Sequence, residues 1–273
     1  MSSWGLSTGA NRTRTLLAWL APIAVCLVLL GTWEAVVRIK HIPKYQLAPP
    51  SLVVTTFAEQ WPALGAAWLV TVKTMLAALA AAVITGVALA ALFASSRVVE
   101  ASLFPYAVIL QVTPLVAVAP FIVLWIGYDR VWLAQIVCAW IVAFFPILSN
   151  TAAGLRSADA GQADLFALYG ATRWQRLRWL LAPTALPYFL AGLRISANLA
   201  LVGAIVAEFV VASQMDNPGL ASTILTSQDR LDTPLMFAAL ALVSLTGVAI
   251  YFATHVLNRV LLGGWHDRMG GEQ

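Results

Sequence analysis

Apolar residues in this chain come in long unbroken runs, and polar residues gather in short clusters between them. Six runs stand out: residues 15–33, 74–96, 101–128, 131–155, 187–211 and 233–256. Only the fifth carries charge, at Arg194 and Glu208. None of the runs alternates apolar with polar residues, which excludes the strands of a closed barrel. Each is apolar on every face, and about 20 such residues cross a bilayer as a helix. The pattern therefore predicts an all-α membrane protein with six transmembrane helices over residues 15–262, between polar tails at 1–14 and 263–273. Residues 45–61 (YQLAPPSLVVTTFAEQW) predict a turn at Pro49-Pro50 and then a short helix. Ser51 is placed to cap that helix, with Glu59 on its polar side.

Composition supports the same solvent. The chain is 61% hydrophobic and 10% charged, with a mean hydropathy of +0.84. A soluble domain carries about 25% charged residues. The net charge of +4 fits positive cytoplasmic loops, so no nucleic-acid partner is expected. With the N-terminus inside, nine basic residues fall on inner segments (Arg12, Arg14, Arg97, Arg156, Arg173, Arg176, Arg178, Arg259, Arg268). Five fall on outer ones (Arg38, Lys40, Lys44, Arg130, Arg230). The loop RIKHIPK after the first run opposes this bias. The acidic segment with Asp216, Asp229 and Asp232 supports it from the outer side. Both termini are thus expected in the cytoplasm. The first run, preceded by Arg12 and Arg14, is longer than a signal-peptide core and reads as a retained span. Cys26 and Cys138 lie inside runs without CxxC spacing, and His41, His255 and His266 are scattered. No disulfide, metal or cofactor is expected from them.

One stretch is unlike its neighbours: DLFALYGATRWQRLRWLLAPTALP, residues 164–187. Arg173, Arg176 and Arg178 gather there with Trp174 and Trp179. Asp164 near a helix start suits the macrodipole. Gly170 predicts a corner, Thr172 a cap for a second helix over residues 173–181, and Pro183 its end. Taken alone, the residues admit two readings. One is an interfacial helix with arginines on lipid phosphates and tryptophans at the headgroups. The other is a docking surface for a cytoplasmic partner.

This stretch resembles the cytoplasmic loop of binding-protein-dependent ABC importer permeases. That loop reads Glu-Ala-Ala, three residues, Gly, nine residues, Ile-x-Leu-Pro. Asp164 falls at the Glu position, Gly170 at the Gly, Leu180 at the Ile and Pro183 at the Pro. Leu165 and Phe166 replace the two alanines, and Ala182 replaces the leucine. Further segments resemble the branch that handles nitrate, sulfonates, taurine and pyrimidine precursors of thiamine. They are QVTPLVAVAPFIVLWIGY (residues 111–128), GATRWQ (170–175), ALPYFLAGLRIS (185–196), VGAIVAEFV (202–210) and LDTPLMFAAL (231–240). The resemblance covers residues 45–265. It implies a type I importer permease fold and a non-catalytic subunit. It also implies a cytoplasmic ATPase dimer, an extracytoplasmic solute-binding protein and a homodimer in the bilayer as partners. The coupling loop would span about residues 156–186, with Asp164, Gly170, Ala171, Arg173, Arg176 and Pro183 as its ATPase-coupling residues. The Asp-Leu-Phe lead and LDTPLMFAAL resemble permeases for pyrimidine-type precursors most.

Candidate pathway residues come from the polar positions inside runs. Pro105, Pro114 and Pro120 divide the third run, and Gln111 and Thr113 sit beside the middle one. That arrangement is either a structural bend or a pathway-lining helix. Arg194 and Glu208 lie about 40° apart around a helix and roughly 21 Å apart along it, too far to pair. Glu208 and Asn198 complete the candidate set. Arg194 can snorkel or answer a carboxylate on another helix. Among other classes, an ion-coupled secondary transporter would show midplane ion sites and inverted repeats, and neither is visible. The chain has no GxxxxGK[ST] loop, so ATP hydrolysis belongs to another subunit. It also lacks HExxH, GxSxG and clustered His/Asp, which argues against an intramembrane enzyme.

Overall fold

The computed structural model describes the backbone of residues 8–211 and 218–269, with side chains for 21–211 and 218–262. Every regular element among them is helical. In chain order these are α1 (Thr8–Ile39), α2 (Pro50–Glu59), α3 (Trp61–Ser95), α4 (Arg97–Val112), α5 (Leu115–Ile126) and α6 (Val131–Arg156). They continue with α7 (Ala160–Leu168), α8 (Arg173–Arg176), α9 (Ala182–Val211), α10 (Leu220–Asp229) and α11 (Thr233–Met269). A 3-10 turn, Tyr128–Arg130, precedes α6, and a π-turn, Leu177–Leu181, joins α8 to α9.

Among the described residues, five helical stretches are long and apolar enough to cross a membrane: Ala21–Ile39, Trp61–Ser95, Tyr128–Arg156, Arg173–Val211 and Thr233–Leu262. The expected third span is where the pattern and the structure part. It is two helices, α4 and α5, bent by 104°. Of its three prolines only Pro114 breaks the chain; Pro105 and Pro120 stay inside helices. Pro114 has no N–H to donate and forces Thr113 out of the helical region, to φ −69° and ψ 124°. The Thr113 N–H and hydroxyl both donate to the Ile109 carbonyl, at 3.1 and 2.7 Å, and close the last turn of α4. Counting the bent pair as one span gives the six that the runs predict.

The chain divides into two compact units, one of Met1–Trp61 with Ser227–Ala238, the other of Pro62–Thr226 with Ala239–Gln273. In the first unit α1 begins at Thr8, inside the stretch read as a polar tail. Almost none of its apolar stretch, Ala21–Ile39, is buried. Leu27, Val28 and Leu29, on successive faces, are all open, as lipid-facing residues are. Ser51 does not cap α2. Pro49 and Pro50 occupy the cap and first helical positions, and the Glu34 carboxylate of α1 accepts the Ser51 N–H at 3.0 Å and its hydroxyl at 2.8 Å. Arg38 holds Glu34 from one turn along. The Thr233 hydroxyl donates to the Tyr45 carbonyl at 2.7 Å, and the Trp33 and Phe237 rings lie 5.3 Å apart.

In the second unit the core is the antiparallel pair α6 and α9. Small residues let their backbones approach. A Cβ on Gly203 would lie 2.8 Å from the Ala139 Cα, and one on Gly192 would lie 2.7 Å from the Pro146 carbonyl oxygen. Between these points the buried Ser196 hydroxyl donates to the Ala143 carbonyl at 2.6 Å. Ala78, Ala82, Phe93, Phe144, Leu148 and Ala200 fill the surrounding core. Tryptophan N–H groups find threonine hydroxyls across helices, Trp140 on Thr85 and Trp68 on Thr246, each at 2.9 Å. At the end of α6, Arg156 forms an ion pair with Glu100 in the first turn of α4.

Candidate functional site

The basic, aromatic stretch forms a closed corner in the second unit, and its sequence accounts for almost every bond in it. Asp159 caps α7, its carboxylate accepting the Gln162 N–H at 3.0 Å. Asp164, expected near the helix start, lies one turn further in and is exposed. The other end of α7 is a Schellman motif. The Ala171 N–H reaches the Phe166 carbonyl at 2.9 Å, and the Gly170 N–H reaches the Ala167 carbonyl at 3.0 Å. That motif needs a left-handed residue, and Gly170 supplies it at φ +67°. Two residues later Thr172 opens α8 with a capping box. Its hydroxyl accepts the Gln175 N–H at 3.3 Å, while the Gln175 side chain accepts the Thr172 N–H at 2.8 Å. The C-cap of one helix and the N-cap of the next thus stand back to back.

Pro183 does not end the second helix. Residues 177–181 widen into a π-turn, in which the Ala182 N–H bonds to the Leu177 carbonyl, and α9 continues without a break. Proline brings no N–H to the preceding turn and crowds the carbonyl four residues back. A wider turn relieves that crowding, and the Thr184 hydroxyl fills the Leu180 carbonyl at 2.7 Å. The corner is therefore welded to the span Arg173–Val211.

The two faces of this segment differ. Leu180 is buried, and Leu177 and Leu181 pack on the core. On the other face Leu168 is 84% exposed and Tyr169 81%, with Trp174 and Trp179 also open. Arg173, Arg176 and Arg178 are exposed as well, Arg178 with its guanidinium over the Trp179 ring at 5.4 Å. Leu165, Phe166, Tyr169, Ala171, Gln175 and Trp179 line a shallow cleft of about 420 Å³. An apolar cleft rimmed by cations suits a protein surface carrying apolar and acidic groups.

The expected pathway residues do not meet at one place. Gln111 is exposed on the last turn of α4, beside Thr113 at the break. Asn198 is half-buried on α9 and donates to the Arg194 carbonyl at 3.2 Å. Arg194 answers an aromatic ring, not a carboxylate. Its guanidinium lies 4.5 Å from the centre of the Tyr251 ring, which in turn stacks on His255. Glu208 is fully buried, and its carboxylate accepts the Ala221 N–H at the start of α10, at 3.0 Å. Asp216, one of the acidic residues expected on the outer side, lies outside the described residues. Thr71 on α3 is the residue that sequence reading misses: its hydroxyl accepts the neighbouring Leu220 N–H at 3.0 Å. It is 149 residues away in sequence, and no local pattern marks such a contact.

The family described as binding-protein-dependent transport system inner membrane component matches residues 82–262. The chain is 36% identical over 241 residues to the riboflavin transport system permease protein RibX of Chloroflexus aurantiacus, covering 86% of this chain and 87% of that one. It is 32% identical over 250 residues to the formylaminopyrimidine transport permease protein ThiX of Halalkalibacterium halodurans, covering 89% and 95%. Among solved structures, an amino acid ABC transporter crystallised with histidines matches with a TM-score of 0.61 over 75% of this chain and 97% of that one. At 19% identity that match speaks for the fold alone.

Proposed function

Because the chain belongs to the family of binding-protein-dependent transport system inner membrane components, we propose that it is the membrane-spanning half of an importer driven by ATP hydrolysis in a separate subunit. As a member it is a multi-pass inner-membrane permease for a small solute. The observation that carries the ATP-driven reading is the corner at Gly170: a rigid helix-turn-helix with an apolar, arginine-rimmed outer face, continuous with a membrane span. Asp164, Gly170, Ala171, Arg173, Arg176 and Pro183 form or flank that corner, and an ATPase subunit docks there. Two copies of the chain, two ATPase subunits and an extracytoplasmic binding protein make up the assembly. The corner faces the cytoplasm, as do both termini.

The solute is a heteroaromatic of the class that the two relatives' names share, riboflavin and formylaminopyrimidine. A pyrimidine-type thiamine precursor is the narrower choice within it. Gln111 and Thr113 at the break between α4 and α5, and Asn198 on α9, line its route.

The test starts with purification of the tagged chain from its native membrane in mild detergent. An ATPase and a binding protein are expected to accompany it. Reconstituted into vesicles, the complex takes up labelled riboflavin or formylaminopyrimidine only with ATP on the corner side. Uptake that follows an ion gradient without ATP overturns the reading in favour of a secondary transporter. Uptake of taurine or nitrate in preference overturns the solute class alone.

A further inference from the structure

We infer that Glu208 is a positioning residue of the transport cycle, fastening α10 to the far end of the helix that carries the corner. The inference rests on the importer reading of that corner. Arg173–Val211 is one continuous helical stretch. From Arg173 to Glu208 it covers about 50 Å, at 1.5 Å per residue. Movement imposed on the corner therefore arrives at Glu208 without crossing a loop.

What Glu208 holds there is the start of α10. The first N–H groups of any helix lack partners within it. Here the residue before the helix is Gly219, which has no side chain to cap with. The chain meets the need from two other helices. Thr71 of α3 takes the Leu220 N–H, and Glu208 of α9 takes the Ala221 N–H, each at 3.0 Å. Thr71 also stands beside the Glu208 carboxyl. Gly219 is required by the same arrangement, since a Cβ there would run into the Glu208 carboxyl group. Thr71, Glu208, Leu220, Ala221 and Ser222 are all 0% exposed, so water cannot replace either bond.

A buried carboxyl is an expensive way to fill space in a membrane protein. An apolar side chain would pack at lower cost but would leave the Ala221 N–H unpaired. What the carboxyl adds is direction. It ties α10 to α9 at one point, with the positive end of the α10 dipole against the carboxyl oxygens. In the importer α10 follows the outer end of α9, toward the side where the binding protein arrives. The tie therefore links binding-protein engagement to the ATPase.

The experiment uses the whole chain with its co-purified ATPase and binding protein in lipid nanodiscs, reading phosphate release from ATP. In wild type the binding protein raises the rate. Glu208→Ala is expected to keep the unstimulated rate, which belongs to the ATPase, and to lose the rise. Glu208→Gln is expected to keep the rise, because its amide oxygen accepts the same N–H. Gly219→Ala is expected to lose the rise in the wild-type background and to add nothing in the Glu208→Ala background. If Glu208→Ala does not accumulate, Thr71→Val, which keeps shape and removes the acceptor for Leu220, carries the same expectation. A Glu208→Ala complex stimulated as well as wild type overturns the inference, as does a Glu208→Gln complex as deficient as the alanine variant. A wild-type complex that hydrolyses no ATP overturns the importer reading and this inference with it.

Discussion

At Gly170 a single residue decides whether the corner closes. An L-residue in the left-handed region costs about 1–2 kcal/mol, and branched or bulky side chains suit it least. Gly170→Arg is expected to abolish ATP-driven uptake while the chain still reaches the membrane. Gly170→Asn should retain most of it, since asparagine tolerates that backbone. Uptake assays beside membrane yields check both, and full activity of Gly170→Arg would remove the corner from the coupling role. Thr172→Ala removes one half of the capping box and should cost about 1 kcal/mol of local stability. Its readout is weaker retention of the ATPase in a pull-down. Much of this is legible in the sequence, because glycine corners and threonine caps are local chemistry. The roles of Asp159 and Asp164 are not. Both are acidic residues near one helix start, and only the backbone geometry selects which of them caps.

Helices, rather than residues, account for the two places where sequence misleads about proline. Three prolines in the third run look equivalent, yet only Pro114 breaks it, while Pro105 and Pro120 stay inside helices. Pro183 reads as a stop and is part of a continuous helix entered through a π-turn. Neither outcome follows from spacing, since a proline can sit inside a helix or end it depending on how the turn before it adjusts. Two expectations belong to this scale. The thiol of a Gln111→Cys variant should react with a water-soluble reagent, and Pro114→Ala, by straightening the pair, should slow that reaction. Protection of that thiol in the otherwise native chain would show that the break lines no aqueous route. Pro183→Ala should let the π-turn tighten to α, removing one residue of helical phase, about 100° at 3.6 residues per turn. The outer face of α8 would then swing away from its partner, and retention of the ATPase should fall without loss of membrane insertion.

For the whole molecule, composition is the most informative quantity. So little charge cannot face water, which points to lipid as the solvent, and the long runs without alternation then point to the helical class. The packing that turns separate spans into a bundle is not visible in the sequence, because it rests on close approach between glycines and backbone far apart along the chain. Gly192→Leu should test it. A side chain aimed at the Pro146 carbonyl from 2.7 Å must push α6 and α9 apart. Overpacking of this kind costs about 1–3 kcal/mol, so the detergent-solubilised chain should melt at a lower temperature. An unchanged melting curve would mean that the pair tolerates separation.

The back-to-back caps at residues 166–175 also bear on how fast a partner can engage. Each backbone residue ordered on association costs about 1–2 kcal/mol. A corner whose turn bonds are already made within its own chain incurs no such cost at the moment of contact. A partner that docks there would do so as a rigid body, with little heat-capacity change beyond the apolar area covered, and with an association rate raised by charge steering from three arginines. A free peptide of residues 159–181, lacking the buried seat of Leu180, would have to order itself first, and should bind the same partner more slowly and more weakly.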